Sequence, residues 1–104
     1  MNMNIKELTQ AMDDFVRAKG WYAENTPRPQ TPANIAASIS IEAAEILEHF
    51  QWEHAPSNDN GAIAGELADV ALYLLQLAHI LEIDLEKAIR DKLAFNYSRT
   101  WDQE

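Results

Sequence analysis

The sequence predicts an all-α protein. Apolar residues recur at three- and four-residue spacing in four separate stretches, and capping residues, glycine and proline bracket those stretches. No segment alternates apolar and polar residues with period 2 for long enough to make a strand. At 104 residues the chain is expected to form one domain, 1–104, with no room for a second independent core.

The elements follow in order. Ile5, Leu8, Met12, Phe15 and Val16 share one face of a first helix over 5–19, and Gly20 is a suitable stop. Residues 21–30 then read as a loop with Pro27, Pro29 and two aromatics, Trp21 and Tyr22, expected to be exposed. Thr31-Pro32 reads as an N-cap followed by proline at the first helical position. It opens a second helix that should reach Phe50 or Trp52. Residues 53–61, with Pro56, Ser57, Asn58, Asp59 and Asn60, form a polar connector.

A third helix is expected over 62–81. Its core stripe is Ile63, Leu67, Val70, Leu74, Leu77 and Leu81, and Ala64, Ala68, Leu72 and Leu75 make a second apolar stripe on the opposite side. A helix apolar on two sides must be covered on two sides, which predicts an oligomer with this helix at its centre. Asp84 then caps a fourth helix expected to carry Leu85, Ala88, Ile89 and Leu93 inward.

Charge and composition narrow the function. The formal net charge is -9, from 17 acidic and 8 basic residues. That balance argues against partners such as nucleic acid or an anionic membrane surface, both of which select basic patches. With no cysteine, disulfides, zinc-thiolate sites and cysteine nucleophiles are excluded. The first residues hold no apolar signal core and no segment approaches 18 apolar residues, so a cytoplasmic location is expected.

The chemistry-bearing pattern is a pair of acidic pairs, Glu42-x-x-Glu45 and Glu66-x-x-Asp69. Residues i and i+3 project from one side of a helix with Cβ atoms about 5–6 Å apart. The second and third helices repeat one pattern in register: Ile39, Ala43, Ile46, Leu47 and Phe50 correspond to Ile63, Leu67, Val70, Ala71 and Leu74. In each, the acids border the apolar stripe, so antiparallel packing would set all four carboxylates around one cleft. Like charges so placed repel unless a cation lies between them. Hard oxygen donors, without cysteine or Glu-x-x-His, suit Mg²⁺ or Mn²⁺ and not a di-iron bundle. The alternative is four solvated surface acids, and spacing alone leaves it open.

The run Ile41-Glu42-Ala43-Ala44-Glu45-Ile46-Leu47-Glu48-His49-Phe50-Gln51-Trp52, followed by Gly65-Glu66-Leu67-Ala68-Asp69-Val70, resembles the MazG-like nucleotide pyrophosphohydrolases, nearest to their dCTP pyrophosphatase branch. The resemblance extends from Phe15 to Arg99 and takes in Gly20-Trp21 and Lys92-x-x-x-Asn96-x-x-Arg99. It implies a four-helix bundle assembled as a dimer or dimer of dimers. It also implies hydrolysis of a nucleoside triphosphate to the monophosphate and pyrophosphate. Carried over by position, Glu42, Glu45, Glu66 and Asp69 would hold Mg²⁺, with Mn²⁺ as a substitute. Lys92, Asn96 and Arg99 would reach the phosphates, and Phe15, Trp21, Asn34, Trp52 and Tyr73 would surround base and sugar. The chain departs from relatives at Met12, at Ala33 and in a longer 21–31 loop, positions that bear on base preference.

On this reading Glu45 takes the proton of the attacking water, and Lys92 and Arg99 stabilise the departing pyrophosphate. Deoxynucleotides are the expected substrates, dCTP first and dATP second, with cleaning of the nucleotide pool as the role. His49, at a helix end, is expected to be structural. A non-enzymatic helical dimerisation or interaction module is the competing function; it accounts for the apolar surface and leaves the paired carboxylates unexplained.

Overall fold

The computed structural model describes residues 2–52 and 60–100. Among them are four helices, α1 (Ile5–Ala18), α2 (Pro32–Glu48), α3 (Asn60–Ile80) and α4 (Leu85–Ser98), and no strand. The expected all-α fold is the one observed.

Local signals set most of the boundaries. Asn4 and Glu7 close a capping box on α1: the Glu7 N–H donates to Asn4 Oδ1 at 2.8 Å and the Asn4 N–H to Glu7 Oε1 at 3.2 Å. At the other end Gly20 adopts φ 75°, the Gly20 N–H donates to the Arg17 carbonyl, and the Trp21 N–H reaches back to the Val16 carbonyl. This is a Schellman closure with glycine at its left-handed position. Thr31 caps α2 through the Asn34 N–H at 3.2 Å, with Pro32 in the first turn, and Asp84 caps α4 through the Lys87 N–H at 3.0 Å.

Some boundaries differ from expectation. α2 stops at Glu48, short of Phe50, because the His49 and Phe50 amides bond carbonyls three residues back and tighten the last turn. α3 starts earlier than expected, at Asn60; most of the proposed 53–61 connector lies outside the described residues.

α3 is the central helix. Its largest interface is with α2 and its second with α1, whereas α4 makes only a small contact with α1. His49, just past α2, meets Glu66 near the start of α3, while Gln30, just before α2, meets Gln76 near its end. The two helices therefore run antiparallel. The core sits between α1 and the second half of α3: Met12, Val16 and Leu75, with Ile5, Trp21, Tyr22 and Leu85 packed against them.

Four expectations are corrected. Trp21 and Tyr22 are half-buried against the core and not exposed. Leu75, assigned to the outer stripe of α3, is a core residue at 6% exposure, whereas Leu67 of the supposed core stripe is 54% exposed. The reason is that α3 is apolar around its circumference, so periodicity cannot choose its inner face. α4 buries no residue within the chain, and Ile89 and Leu93, expected inward, are exposed. Finally, α3 is long and apolar enough, by length and composition, to cross a membrane. Glu66 and Asp69 within it, and helices packed on two of its sides, are what a central bundle helix requires and a lipid-facing span disfavours.

Candidate metal and nucleotide site

The antiparallel α2–α3 pair gathers the four carboxylates. Glu42 lies within electrostatic reach of Glu45, Asp69 and Glu66. The Glu42 pKa is raised accordingly, first by burial and then by Glu45, Asp69 and Glu66. Glu42 Oε2 is sealed from solvent and has no hydrogen-bond partner. His49 Nε2 stands 2.7 Å from Glu66 Oε2, close enough for an ion pair when the imidazole is protonated, yet no aligned hydrogen bond reaches that oxygen.

A cluster of acids with a sealed, unpartnered oxygen is the donor set a hard divalent cation needs. Among the described residues no three such groups are already drawn into a closed ligand arrangement. The fit to Mg²⁺ or Mn²⁺ therefore rests on donor chemistry and on the charge that the cluster leaves uncompensated.

Next to the cluster is a cavity of about 630 Å³. Phe15 and Trp21 form one wall, edge to face with ring centroids 5.6 Å apart. Asn34 from α2 and Tyr73 from α3 stand on its other walls, as does Asp69, which belongs to both the acidic cluster and the cavity. The Asn34 Nδ2 donates to the Pro29 carbonyl at 2.9 Å and so ties the 27–30 loop to α2. Arg28 on that loop holds its guanidinium 5.7 Å from the Trp21 ring centroid.

The structure thus brings Phe15, Trp21, Asn34 and Tyr73 around one cavity and gathers the four carboxylates beside it, with Asp69 common to both. It does not bring the remaining expected residues there within one chain. Trp52 is 86% exposed and lines no part of the cavity. Lys92 and Arg99 lie over Phe95 on α4, at 5.1 and 5.7 Å from its ring centroid, and α4 packs on α1. Neither they nor Asn96 line the cavity. Conversely, the cavity includes Arg28, Gln30 and Gln76, which sequence reasoning missed. The first two lie in the 21–30 segment, read as a loop; the only signal was a polar residue, Gln76, inside an apolar run.

Residues 37–103 match the MazG-like family. The chain is 26% identical over 103 residues to mouse dCTP pyrophosphatase 1, covering 91% of this chain and 58% of that protein. It therefore spans little more than half the length of that relative. Over 36 residues it is 50% identical to the dATP/dGTP diphosphohydrolase of Cyanophage S-2L, 35% of this chain and 34% of the phage protein. A crystal structure of a pyrophosphatase from Archaeoglobus fulgidus superposes with a TM-score of 0.75 at 35% identity, covering 92% of this chain and 91% of that one.

Proposed function

The chain belongs to the MazG-like family, and from that premise we propose that it is a divalent-metal-dependent nucleoside triphosphate pyrophosphohydrolase. The observation that carries this reading is the position of Asp69, at once a member of the acidic cluster and a wall of the aromatic cavity. A base stacked in the cavity would direct its phosphates towards the carboxylates. Deoxynucleotides are the proposed substrates, dCTP before dATP, in keeping with the names of the relatives, and cleaning of the nucleotide pool is the proposed role.

The residues divide the work. Glu42, Glu45, Glu66 and Asp69 would hold Mg²⁺ or Mn²⁺. Once bound, the metal supplies charge neutralisation and polarises phosphate oxygens and water. Phe15, Trp21 and Tyr73 enclose base and sugar, and Asn34 orients them. Glu45 accepts the proton of the water that attacks the α-phosphorus; the α–β bridging bond breaks, and monophosphate and pyrophosphate leave. Lys92, Asn96 and Arg99 have no part in the cavity of their own chain. We assign them to the phosphates of a neighbouring subunit, in an assembly that is at least a dimer and that covers the exposed apolar residues of α3 and α4.

The test is incubation with each dNTP, with and without EDTA. Turnover should vanish with EDTA and return with Mg²⁺ or Mn²⁺, giving monophosphate and pyrophosphate. Release of a diphosphate and orthophosphate instead would exclude attack at the α-phosphorus.

A further inference from the structure

Gln76 sits on α3 between Leu75 and Leu77, is 3% exposed, and lines the cavity. A buried carboxamide must satisfy two N–H donors and an acceptor oxygen. Its Nε2 donates to Gln30 Oε1 at 2.7 Å and, at a long 3.5 Å, to the Tyr22 hydroxyl. Both amide hydrogens are thereby engaged. Among the described residues nothing donates to its Oε1.

The direction of this amide is fixed by its neighbours. Gln30 Nε2 donates to the Arg28 carbonyl at 2.7 Å, a group that only accepts, so Gln30 must turn its oxygen towards Gln76. The Tyr22 hydroxyl lies near the Asp13 carboxylate and meets Gln76 only at the long 3.5 Å, so it is the weaker of the two partners. Asp13 is in turn buried and held by the Arg17 Nε at 2.8 Å. Gln30 therefore demands the amino end of Gln76. Turning the amide over would set oxygen against oxygen at the 2.7 Å contact with Gln30.

We propose that Gln76 Oε1 reads the nucleobase by accepting a hydrogen bond from an exocyclic amino group, so that the pocket takes 4-aminopyrimidine and 6-aminopurine nucleotides over their oxo counterparts. This rests on the cavity being the base pocket of the proposed reaction. Cytosine N4 and adenine N6 each offer N–H to such an acceptor. Uracil, thymine and hypoxanthine put a carbonyl oxygen in that place, and two acceptors then face each other among Met12, Ile35 and Leu72, where little water can intervene. A freely rotating amide would tolerate both classes of base; a locked one does not.

The experiment uses substrate pairs that differ only in this group, dCTP with dUTP and dATP with dITP. For the wild type, kcat/KM should favour the amino member of each pair by at least about 10-fold. Gln76→Met should bring both ratios close to one, with the loss falling on the amino substrates. Gln30→Leu, at a half-buried loop position, should lower the ratios by releasing the amide, and it decides the matter if Gln76→Met fails to fold by circular dichroism. Calorimetric binding of dCMP against dUMP, with Mg²⁺ present, gives a readout independent of turnover. Discriminated binding without hydrolysis would overturn the reaction and leave base reading standing. Hydrolysis with equal rates in both pairs, or ratios unmoved by Gln30→Leu, would overturn base reading and leave the reaction standing. Neither hydrolysis nor discrimination would overturn both.

Discussion

The two halves of α3 are built by opposite rules. Its first half carries Glu66 and Asp69 towards two further carboxylates on α2, with Leu67 between them exposed. Its second half carries Leu75, Gln76 and Ala78, all buried, against α1 and the loop after it. One half concentrates like charge at a loosely packed end; the other removes apolar surface from water. About nine residues, or roughly 13 Å of helix, separate the two. The acidic half contributes repulsion to the metal-free fold, and the apolar half supplies the burial that outweighs it. Chemistry and stability thus occupy different turns of one helix, and substitutions should separate them.

The largest effect is expected at the acidic end. Glu45→Gln keeps the shape of the side chain and removes a charge, so turnover should fall about 100-fold or more, the scale of losing metal-assisted stabilisation worth several kcal/mol. Its thermal midpoint should hold or rise, because one of several mutually repelling groups is gone. A variant with near wild-type turnover would leave Glu45 as a surface acid.

At the other end, Leu75→Ala should lower unfolding free energy by about 2–4 kcal/mol, measured by urea titration, while activity per folded molecule is largely kept. If Glu45→Gln destabilised the protein as much as Leu75→Ala does, the division between the acidic cluster and the apolar core would be wrong. The smallest effect on the fold of the single chain belongs to α4, which buries nothing within it. Ile89→Glu with Leu93→Glu should leave the α1–α3 core intact, with a change near 0.5 kcal/mol per surface site. Light scattering should show the assembly dissociated. A wild type that is monomeric at micromolar concentration, or a double variant that stays assembled, would remove the role given to α4.

What the sequence made legible was whatever local physics decides. Gly20, Thr31-Pro32 and Asp84 mark helix ends because caps act within a few residues of themselves. The two acidic pairs were legible because i, i+3 spacing fixes a shared side, and the antiparallel packing of α2 and α3 brings those sides together as expected. The inner face of α3 was not legible. Leu74 and Leu75 are equivalent as hydrophobes, and only the position of α1 distinguishes them. Gln76 and Asp13 were also hidden, since their partners Gln30, Tyr22 and His79 are distant in sequence. Of the α4 residues expected inward, Leu85 packs against the core while Ile89 and Leu93 stay exposed, because the reading assumed that one chain must bury every apolar stripe it encodes.

The turn that ends α1 has a consequence for ligand binding. A Cβ at Gly20 would meet nothing within 4 Å, so the requirement there is conformational, the left-handed φ of 75°. That single dihedral reverses the chain so that the Trp21 amide returns to the Val16 carbonyl and its indole stands edge-on to Phe15. The aromatic wall is therefore in place before any ring arrives to stack on it. Immobilising a free side chain on binding costs roughly 0.5–1.5 kcal/mol, and here folding has already done the immobilising. Affinity at the cavity is in this sense preorganised by a residue with no side chain.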